Sequence, residues 1–469
     1  MNNYKKLINN FFIFSLGNLG SKLISFLLVP LFTYYLSQQQ YGMIDIVVTS
    51  SSLLIPIVSG CTHEAIVRFV INNKSNNQKI LFNSIFISFI GYMILVFFYP
   101  IFSRYNFLDS SLKYMYLLIF VQILNQIFSQ YIRAIGKVKL YAINGVMITL
   151  FIGVLNVIFI VYYGLGVEGY FTSTILAYIM STVFLVFKSN LVLNKINITI
   201  DKNTIIMILS FSLPLIFNSL MWWVSNSSSK FLINFYLGLT ANGLFAVSTK
   251  IPTIIVIINN IFTQAWQLSA FEEYENNKSS NYYARVFEYY SSFLFIASSS
   301  IILIIKPIFY YVFSESFFAS WEPVPFLILG SLFSSFSAYV GVNYTASKNT
   351  IGIFKTSVFG GMVSLISNLI FIPLFGIVGA GISSFLSFLI MFMVRIYDTK
   401  KIINLEINYF RFYFQLVLVL IQILIMFINT ENDFFINLII LIILNLNLRH
   451  LYLEIYSKIK KIISNLRRN

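Results

Sequence analysis

Residues 11–45 read FFIFSLGNLGSKLISFLLVPLFTYYLSQQQYGMID, and this stretch decides the class of fold. Its first part, up to Leu36, is long enough to cross a bilayer, because about 20 apolar residues span the roughly 30 Å hydrocarbon core. A polar turn follows, and the chain re-enters apolar sequence at Gly42. The stretch therefore predicts a membrane-spanning helical hairpin.

One lysine, Lys22, lies near the middle of the first predicted helix. A charge at that depth costs at least about 2.5–3.5 kcal/mol, so an ionisable residue there indicates function by default. The position is too deep for the side chain to reach either membrane surface easily. Lys22 therefore needs a water-filled cavity, a carboxylate or an anionic ligand.

Apolar runs of similar length follow one another along the whole chain. Hydrophobic residues make up 58% of the 469 positions and charged residues 10%, against roughly 25% charged in a soluble domain. We predict an all-α polytopic membrane protein with about fourteen transmembrane helices. Most of the 31 Lys and Arg residues fall in alternate connections, which by the positive-inside rule places both termini in the cytoplasm. Topology then explains the net charge of +15, and no nucleic-acid partner is expected.

Metal and disulfide chemistry is not expected. Cys61 is the single cysteine, and His63 and His450 are far apart in the sequence. Metal sites need clusters of such residues at characteristic spacings, and disulfides need pairs of cysteines. The sequence predicts no catalytic residue, no metal and no cofactor.

An internal repeat divides most of the chain. Residues 35–43, YLSQQQYGM, share Tyr-Leu and a glycine at the same spacing with residues 236–244, YLGLTANGL. A second match pairs residues 156–160, NVIFI, with residues 368–372, NLIFI, and each copy is followed by two glycines at the same spacing. The second copy begins after an even number of predicted spans, which indicates a parallel repeat of the kind found in transporters with a site between two bundles.

Three regions follow from the repeat and the charge pattern. We predict pseudo-symmetric six-helix bundles at residues 1–203 and 204–397. Residues 398–469 are predicted to hold two extra transmembrane helices and a basic cytoplasmic tail.

A family resemblance rests on this helix arrangement, on Tyr41-Gly42 at the first hairpin and on residues 373–381, PLFGIVGAG. Over roughly residues 8–396 the chain resembles the Wzx-type polysaccharide transporters, flippases of the multidrug/oligosaccharidyl-lipid/polysaccharide (MOP) superfamily. The resemblance implies a transporter rather than an enzyme. It would move an undecaprenyl-pyrophosphate-linked oligosaccharide, an O-antigen or capsule repeat unit, from the cytoplasmic to the periplasmic leaflet of the bacterial inner membrane. The expected partners are membrane lipids, a polysaccharide polymerase and a chain-length regulator of lipopolysaccharide biosynthesis, with the flippase itself a monomer.

Three lysines inside predicted spans are the main candidates for binding pyrophosphate and sugar in a cationic lumen: Lys22, Lys230 and Lys250. Lys230 follows the polar patch at residues 225–229, which in a membrane fits a water-filled lumen or a helix contact. Lys250 precedes Pro252, which weakens its helix locally.

The same superfamily includes lipid II flippases with a cationic central cavity. Ser21-Lys22 is similar to a Ser-Arg pair in their first helix, and Lys250 is similar to a basic residue in their eighth. Lysine at both positions keeps the charge but not the bidentate grip of arginine on phosphate.

Asp45 and a polar stripe are secondary candidates. Asp45, at one end of the second span, is a candidate counter-ion or coupling site. Gln122, Asn125 and Gln126 recur at helical spacing on the fourth span. Such a stripe suits sugar hydroxyls or hydrogen bonds between helices, and the sequence leaves both alternatives open.

Two arginines could gather the pyrophosphate at the cytoplasmic entrance. Arg68 and Arg133 both lie near predicted cytoplasmic ends of spans, where positive-inside topology explains them equally well. Glu64 lies one helical turn before Arg68 and is expected to form an ion pair with it.

Two other functions remain as alternatives. A multidrug-type cation-coupled exporter of the same superfamily would need carboxylates at mid-membrane depth, whereas lysines there favour an anionic substrate. A membrane polysaccharide polymerase commonly carries a large extracytoplasmic loop or an acidic catalytic motif, and the predicted connections are short.

Overall fold

The computed structural model describes residues 20–72, 77–104, 111–189, 199–276, 280–347, 349–428 and 432–448. Within these ranges the chain is helical and contains no β-strand. It divides into two compact units, Met1–Val247 and Ser248–Asn469. The predicted all-α polytopic membrane fold is confirmed.

The first unit contains helices α1 to α8, with only the last residue of α8 beyond it. They are α1 (20–35), α2 (Gln38–Ser59), α3 (Thr62–Asn72), α4 (Asn77–Phe97), α5 (Leu112–Ala134), α6 (Val138–Asn156, continued by the π-helical Val157–Tyr162), α7 (Gly166–Lys188) and α8 (Lys202–Ser248). A four-residue helix, Tyr99–Phe102, follows α4. Because α8 lies in this unit, the predicted first helix of the second bundle packs with the N-terminal half of the chain.

The second unit contains helices α9 to α14. They are α9 (Thr253–Asn276), α10 (Ser280–Tyr311), α11 (Val324–Ala346), α12 (Thr350–Thr399), α13 (Tyr409–Ile428) and α14 (Asp433–Asn447), with a 3₁₀ helix at Glu315–Trp321. The last two helices are tied to α10 by ion pairs. Lys306 Nζ lies 2.9 Å from Asp433 Oδ2, and Arg411 pairs with Glu288.

Eleven helical segments among the described residues, two of them within α8, are long and apolar enough to cross a membrane. The predicted count of about fourteen is not confirmed. The start of α1 lies outside the described residues, and α14 has 15 residues. Two predicted spans, 351–373 and 377–396, are joined in α12, whose 50 residues bend at Gly376.

Glycines and a capping box set the helix breaks. Ser37 begins α2 by accepting a hydrogen bond from Gln40 N, while the Gln40 side chain accepts one from Ser37 N. Gly164 and Gly376 have φ angles of 65° and 60°, in the left-handed region that favours glycine. These two glycines occupy matching positions of the second sequence repeat, so the two copies share a positive φ angle at this position.

Candidate functional site

The two copies of the repeated hairpin motif meet inside the first unit. A Cβ atom added to Gly42 would lie 2.0 Å from the Leu239 carbonyl oxygen, and one added to Gly243 would lie 1.9 Å from the Gln38 carbonyl oxygen. Each glycine of the repeat thus contacts the backbone of the other copy, and only glycine permits so close an approach. This contact fixes the start of α2 against the end of α8, after the bend at Gly238.

An ion pair lies beside the glycine contact. Lys230 Nζ is 2.7 Å from Asp45 Oδ1, and the two side chains are only 17% and 10% exposed. Asn242 donates to the Gly42 carbonyl oxygen at 3.1 Å and to Asp45 Oδ2 at 3.4 Å. Asp45 is therefore paired with Lys230 in the structure.

Lys230 has a carboxylate partner, whereas Lys22 and Lys250 have none among the described residues. Removing one member of a buried pair leaves an uncompensated charge and costs about 3–5 kcal/mol.

Sequence reasoning missed Asn242, although the residue precedes Gly243, the repeated glycine.

Lys22 is exposed on α1. It lies on the same helix face as Val29 and Thr33, which are each 1% exposed. Leu23 and Leu27, on another face, are 58% and 72% exposed. Lys22 thus shares a face with residues that are buried further along α1, but it is itself exposed, and it forms no ion pair with any residue that the structure describes.

Lys250 lies in a break between α8 and α9, in the second unit. The chain leaves the helix over residues 249–252 and resumes it at Thr253, whose hydroxyl donates to the Lys250 carbonyl oxygen. The predicted weakening of the helix before Pro252 is confirmed. The Lys250 side chain is half-buried and has no carboxylate partner in the described part of the chain.

The arginine candidates lie against aromatic rings. The Arg68 guanidinium lies 4.8 Å from the centre of the Phe211 ring, and that of Arg133 lies 5.6 Å from the centre of the Tyr141 ring. The predicted pair between Glu64 and Arg68 is wrong. Glu64 Oε1 instead lies 3.7 Å from His63 Nε2, and the cation–π contact with Phe211 holds Arg68 on α8.

The predicted polar stripe on α5 has two parts. Asn125 joins α5 to α6 and α7, because its amide donates to Thr182 Oγ1 at 3.0 Å and accepts from Asn144 Nδ2 at 3.4 Å. Ser181 donates to the Asn144 side chain and completes the network. Asn125 thus forms hydrogen bonds between helices.

Gln122 and Gln126 line a cavity of about 430 Å³ within the first unit. Its wall also includes Asn125, His63 from α3, Tyr178 from α7 and Ser219 from α8. Gln122 is hydrogen-bonded to Tyr178. Sequence reasoning did not select His63, Tyr178 and Ser219. They lie on three different helices, which come together only when the chain folds.

A family model decides the identity of the chain. The model for "polysaccharide biosynthesis protein" matches residues 7–267, which is more than half of the sequence. The chain belongs to this family. No curated protein sequence matches this family member.

Solved structures confirm the superfamily fold of this polysaccharide biosynthesis family member. It is similar to the lipid II flippase MurJ in an inward closed conformation, with 14% identity and a TM-score of 0.73 over 95% of this chain and 100% of that one. An inward-facing multidrug resistance MATE transporter of the MOP superfamily gives 14% identity and a TM-score of 0.65 over 83% and 95%.

The chain is also similar to a MOP superfamily transporter from Pyrococcus furiosus whose binding pocket is reported to have reversed polarity. The identity is 15% and the TM-score is 0.57, over 83% of this chain and 96% of that one. Identities this low show the fold alone. The resemblance to the MOP superfamily is confirmed in the fold, and family and fold together indicate a multi-pass membrane protein of polysaccharide biosynthesis.

Proposed function

We propose that the protein flips an undecaprenyl-pyrophosphate-linked oligosaccharide, an O-antigen or capsule repeat unit, from the cytoplasmic to the periplasmic leaflet by alternating access through a cationic central cavity. One observation carries the proposal. Lys22, which the sequence places near the middle of the first predicted span, is exposed on α1 and has no carboxylate partner among the described residues. A lysine in that position requires water or an anion, and a pyrophosphate group supplies the anion.

Lys250, in the second unit, is a further candidate for binding an anionic substrate group. It is half-buried in a break of the helical path, where the backbone is less regular than in a helix. Lysine holds phosphate as a point charge on a flexible stem. Such binding suits a transporter, because the pyrophosphate must be released again after it has crossed.

Lys230 has a different role in this proposal. Its charge is neutralised by Asp45, so it contributes little to attracting an anion while the pair is intact. The pair and the Gly42–Gly243 contact hold α2 against the end of α8. We assign them to closure of the periplasmic side, which must open for release.

The same ion pair weighs against export of cationic drugs. Asp45 is the carboxylate that the sequence offered as a counter-ion, and it is occupied by Lys230 and Asn242. A cationic substrate would have to displace an ammonium group that lies 2.7 Å from the carboxylate. The free lysines favour an anionic substrate instead.

Replacement of Lys22 by Ala tests the proposal in cells. Loss of a charge-assisted hydrogen bond costs about 1.5–3 kcal/mol, so we expect transport to fall roughly 10- to 150-fold. Lipid-linked repeat units should then accumulate in the cytoplasmic leaflet. Lys188→Ala, which removes an exposed lysine at the end of α7, is the control for net charge. Unchanged surface polysaccharide in cells with Lys22→Ala would refute the proposal.

A further inference from the structure

The cavity of the first unit has a neutral, hydrogen-bonding wall. Its described lining residues include amides, hydroxyls and one imidazole, and none of them is Asp, Glu, Lys or Arg. Each glutamine amide offers two donors and an acceptor with two lone pairs. Ile55, Pro56 and Ile148 add apolar surface. This combination suits a molecule with many hydroxyl groups, apolar C–H faces and no charge.

Part of the wall's hydrogen-bonding capacity is unused by the protein. Gln126 Oε1 and His63 Nδ1 are buried and have no hydrogen-bond partner among the described residues. A buried polar atom left unsatisfied costs about 1–3 kcal/mol. Small rotations of these two side chains toward the cavity would allow a bound ligand to recover that cost.

The cavity has the size of a ligand site, and one of its walls contacts Ser21, the residue before Lys22. Its volume of about 430 Å³ falls within the roughly 300–1,000 Å³ of small-molecule pockets. Gly145 of α6 lines the cavity, and Ser21 Oγ lies 3.7 Å from where a Cβ of Gly145 would be. The residue that precedes Lys22 therefore contacts the helix that forms one wall.

We propose that this cavity binds an uncharged sugar of the substrate, while Lys22 binds the phosphate to which the glycan is attached. The inference rests on the proposed function and adds a substrate class to it. Two kinds of contact then contribute to binding: the lysine binds the anionic phosphate, and the amide side chains form hydrogen bonds with the neutral sugar. A negatively charged sugar gains nothing from this wall, since the wall offers no cation and burial of an unpaired charge is costly.

Three short-chain probes separate the two contributions. They are farnesyl pyrophosphate without a sugar, the same lipid carrying one neutral hexose, and the same lipid carrying one hexuronic acid. Affinities are measured with the full-length protein in nanodiscs. We expect the neutral hexose to tighten binding about tenfold, as one or two net hydrogen bonds of about 1 kcal/mol would. The hexuronic acid should bring no such gain.

Gln122→Leu and Gln126→Leu remove the amides while keeping similar volume. Each should abolish most of the gain from the neutral hexose and leave binding of farnesyl pyrophosphate unchanged, which also shows that the variant is folded. Gln130→Leu is the matched control, because Gln130 lies one turn further along α5 and does not line the cavity. Lys22→Ala should weaken all three probes by the same factor.

Two outcomes contradict different parts of this account. If the hexuronic acid tightens binding as much as the neutral hexose, or if the gain survives both glutamine variants, the sugar assignment is wrong and the role of Lys22 stands. If Lys22→Ala leaves all three affinities unchanged, the proposed pyrophosphate site is wrong.

Discussion

Lys22 on α1 and Lys230 on α8 occupy the two helices that precede the repeated hairpin motif, yet their surroundings differ. Lys230 forms a 2.7 Å ion pair with Asp45, and both side chains are largely buried. Lys22 is exposed and has no such partner in the described structure. One charge therefore joins two helices, whereas the other is available to a ligand.

Two lysines that are both predicted to lie within the membrane can therefore have different roles. Both lysines are costly in hydrocarbon, and the protein meets that cost in two ways. At Lys230 an internal carboxylate and the nearby Asn242 satisfy the charge. At Lys22 no carboxylate among the described residues does so, and in the proposed function water or the substrate offsets the cost.

The largest effect is expected from Asp45→Ala, which leaves Lys230 buried without its partner. We expect a loss of about 3–5 kcal/mol in the free energy of unfolding, measured as a lower midpoint of thermal unfolding in detergent. Adding Lys230→Met should restore much of the loss, because the double variant has no unpaired charge. A double variant that is no more stable than Asp45→Ala would show that the pair does not hold the helices.

The next effect concerns the glycine contact beside that pair. Gly243→Ala places a methyl group 1.9 Å from the Gln38 carbonyl oxygen, so the helices must separate. Overpacking of this kind costs about 1–3 kcal/mol. Gly153→Ala is the control, since its nearest neighbour is a leucine methyl group at 3.6 Å. Equal unfolding midpoints for the two variants would contradict the close helix approach.

The smallest effect is expected from Lys22→Arg, which keeps the charge and changes its geometry. Transport should fall much less than in Lys22→Ala, because the positive charge at the pyrophosphate site remains. Lys22→Gln, a neutral side chain of similar reach, is the comparison. If Gln supported transport as well as Arg, charge at this position would not be what the substrate needs.

The sequence predicted much of the fold because its main signals are local. Runs of about 20 apolar residues predict spanning helices without knowledge of their neighbours. The repeated glycines also correspond in the structure, because Gly164 and Gly376 both have positive φ angles. Helix limits were harder to predict. The sequence indicated two spans separated near Gly376, whereas α12 continues through Pro373 and only bends at Gly376.

The candidate site was predicted in part. Depth along a helix identified Lys22, Lys230 and Lys250, but a single sequence gives neither helix rotation nor partners. The Asp45–Lys230 pair joins residues from α2 and α8, and no periodicity connects them. The polar stripe of α5 shows the same limit, because Asn125 bonds to neighbouring helices while Gln126 lines a cavity whose other walls come from distant segments.

The central claim is that Lys22 serves the substrate and that Lys230 serves the protein, and flipping by purified protein tests it most directly. The measurement is the rate at which a lipid-linked oligosaccharide in sealed proteoliposomes becomes accessible to an impermeant sugar-oxidising reagent. Two variants are compared: Lys22→Ala, and the neutral double variant Asp45→Asn with Lys230→Met. The account predicts that Lys22→Ala loses most flipping while the double variant retains it, because the Gly42–Gly243 contact still holds α2 against the end of α8. Retained flipping with Lys22→Ala and lost flipping in a folded double variant would contradict the account.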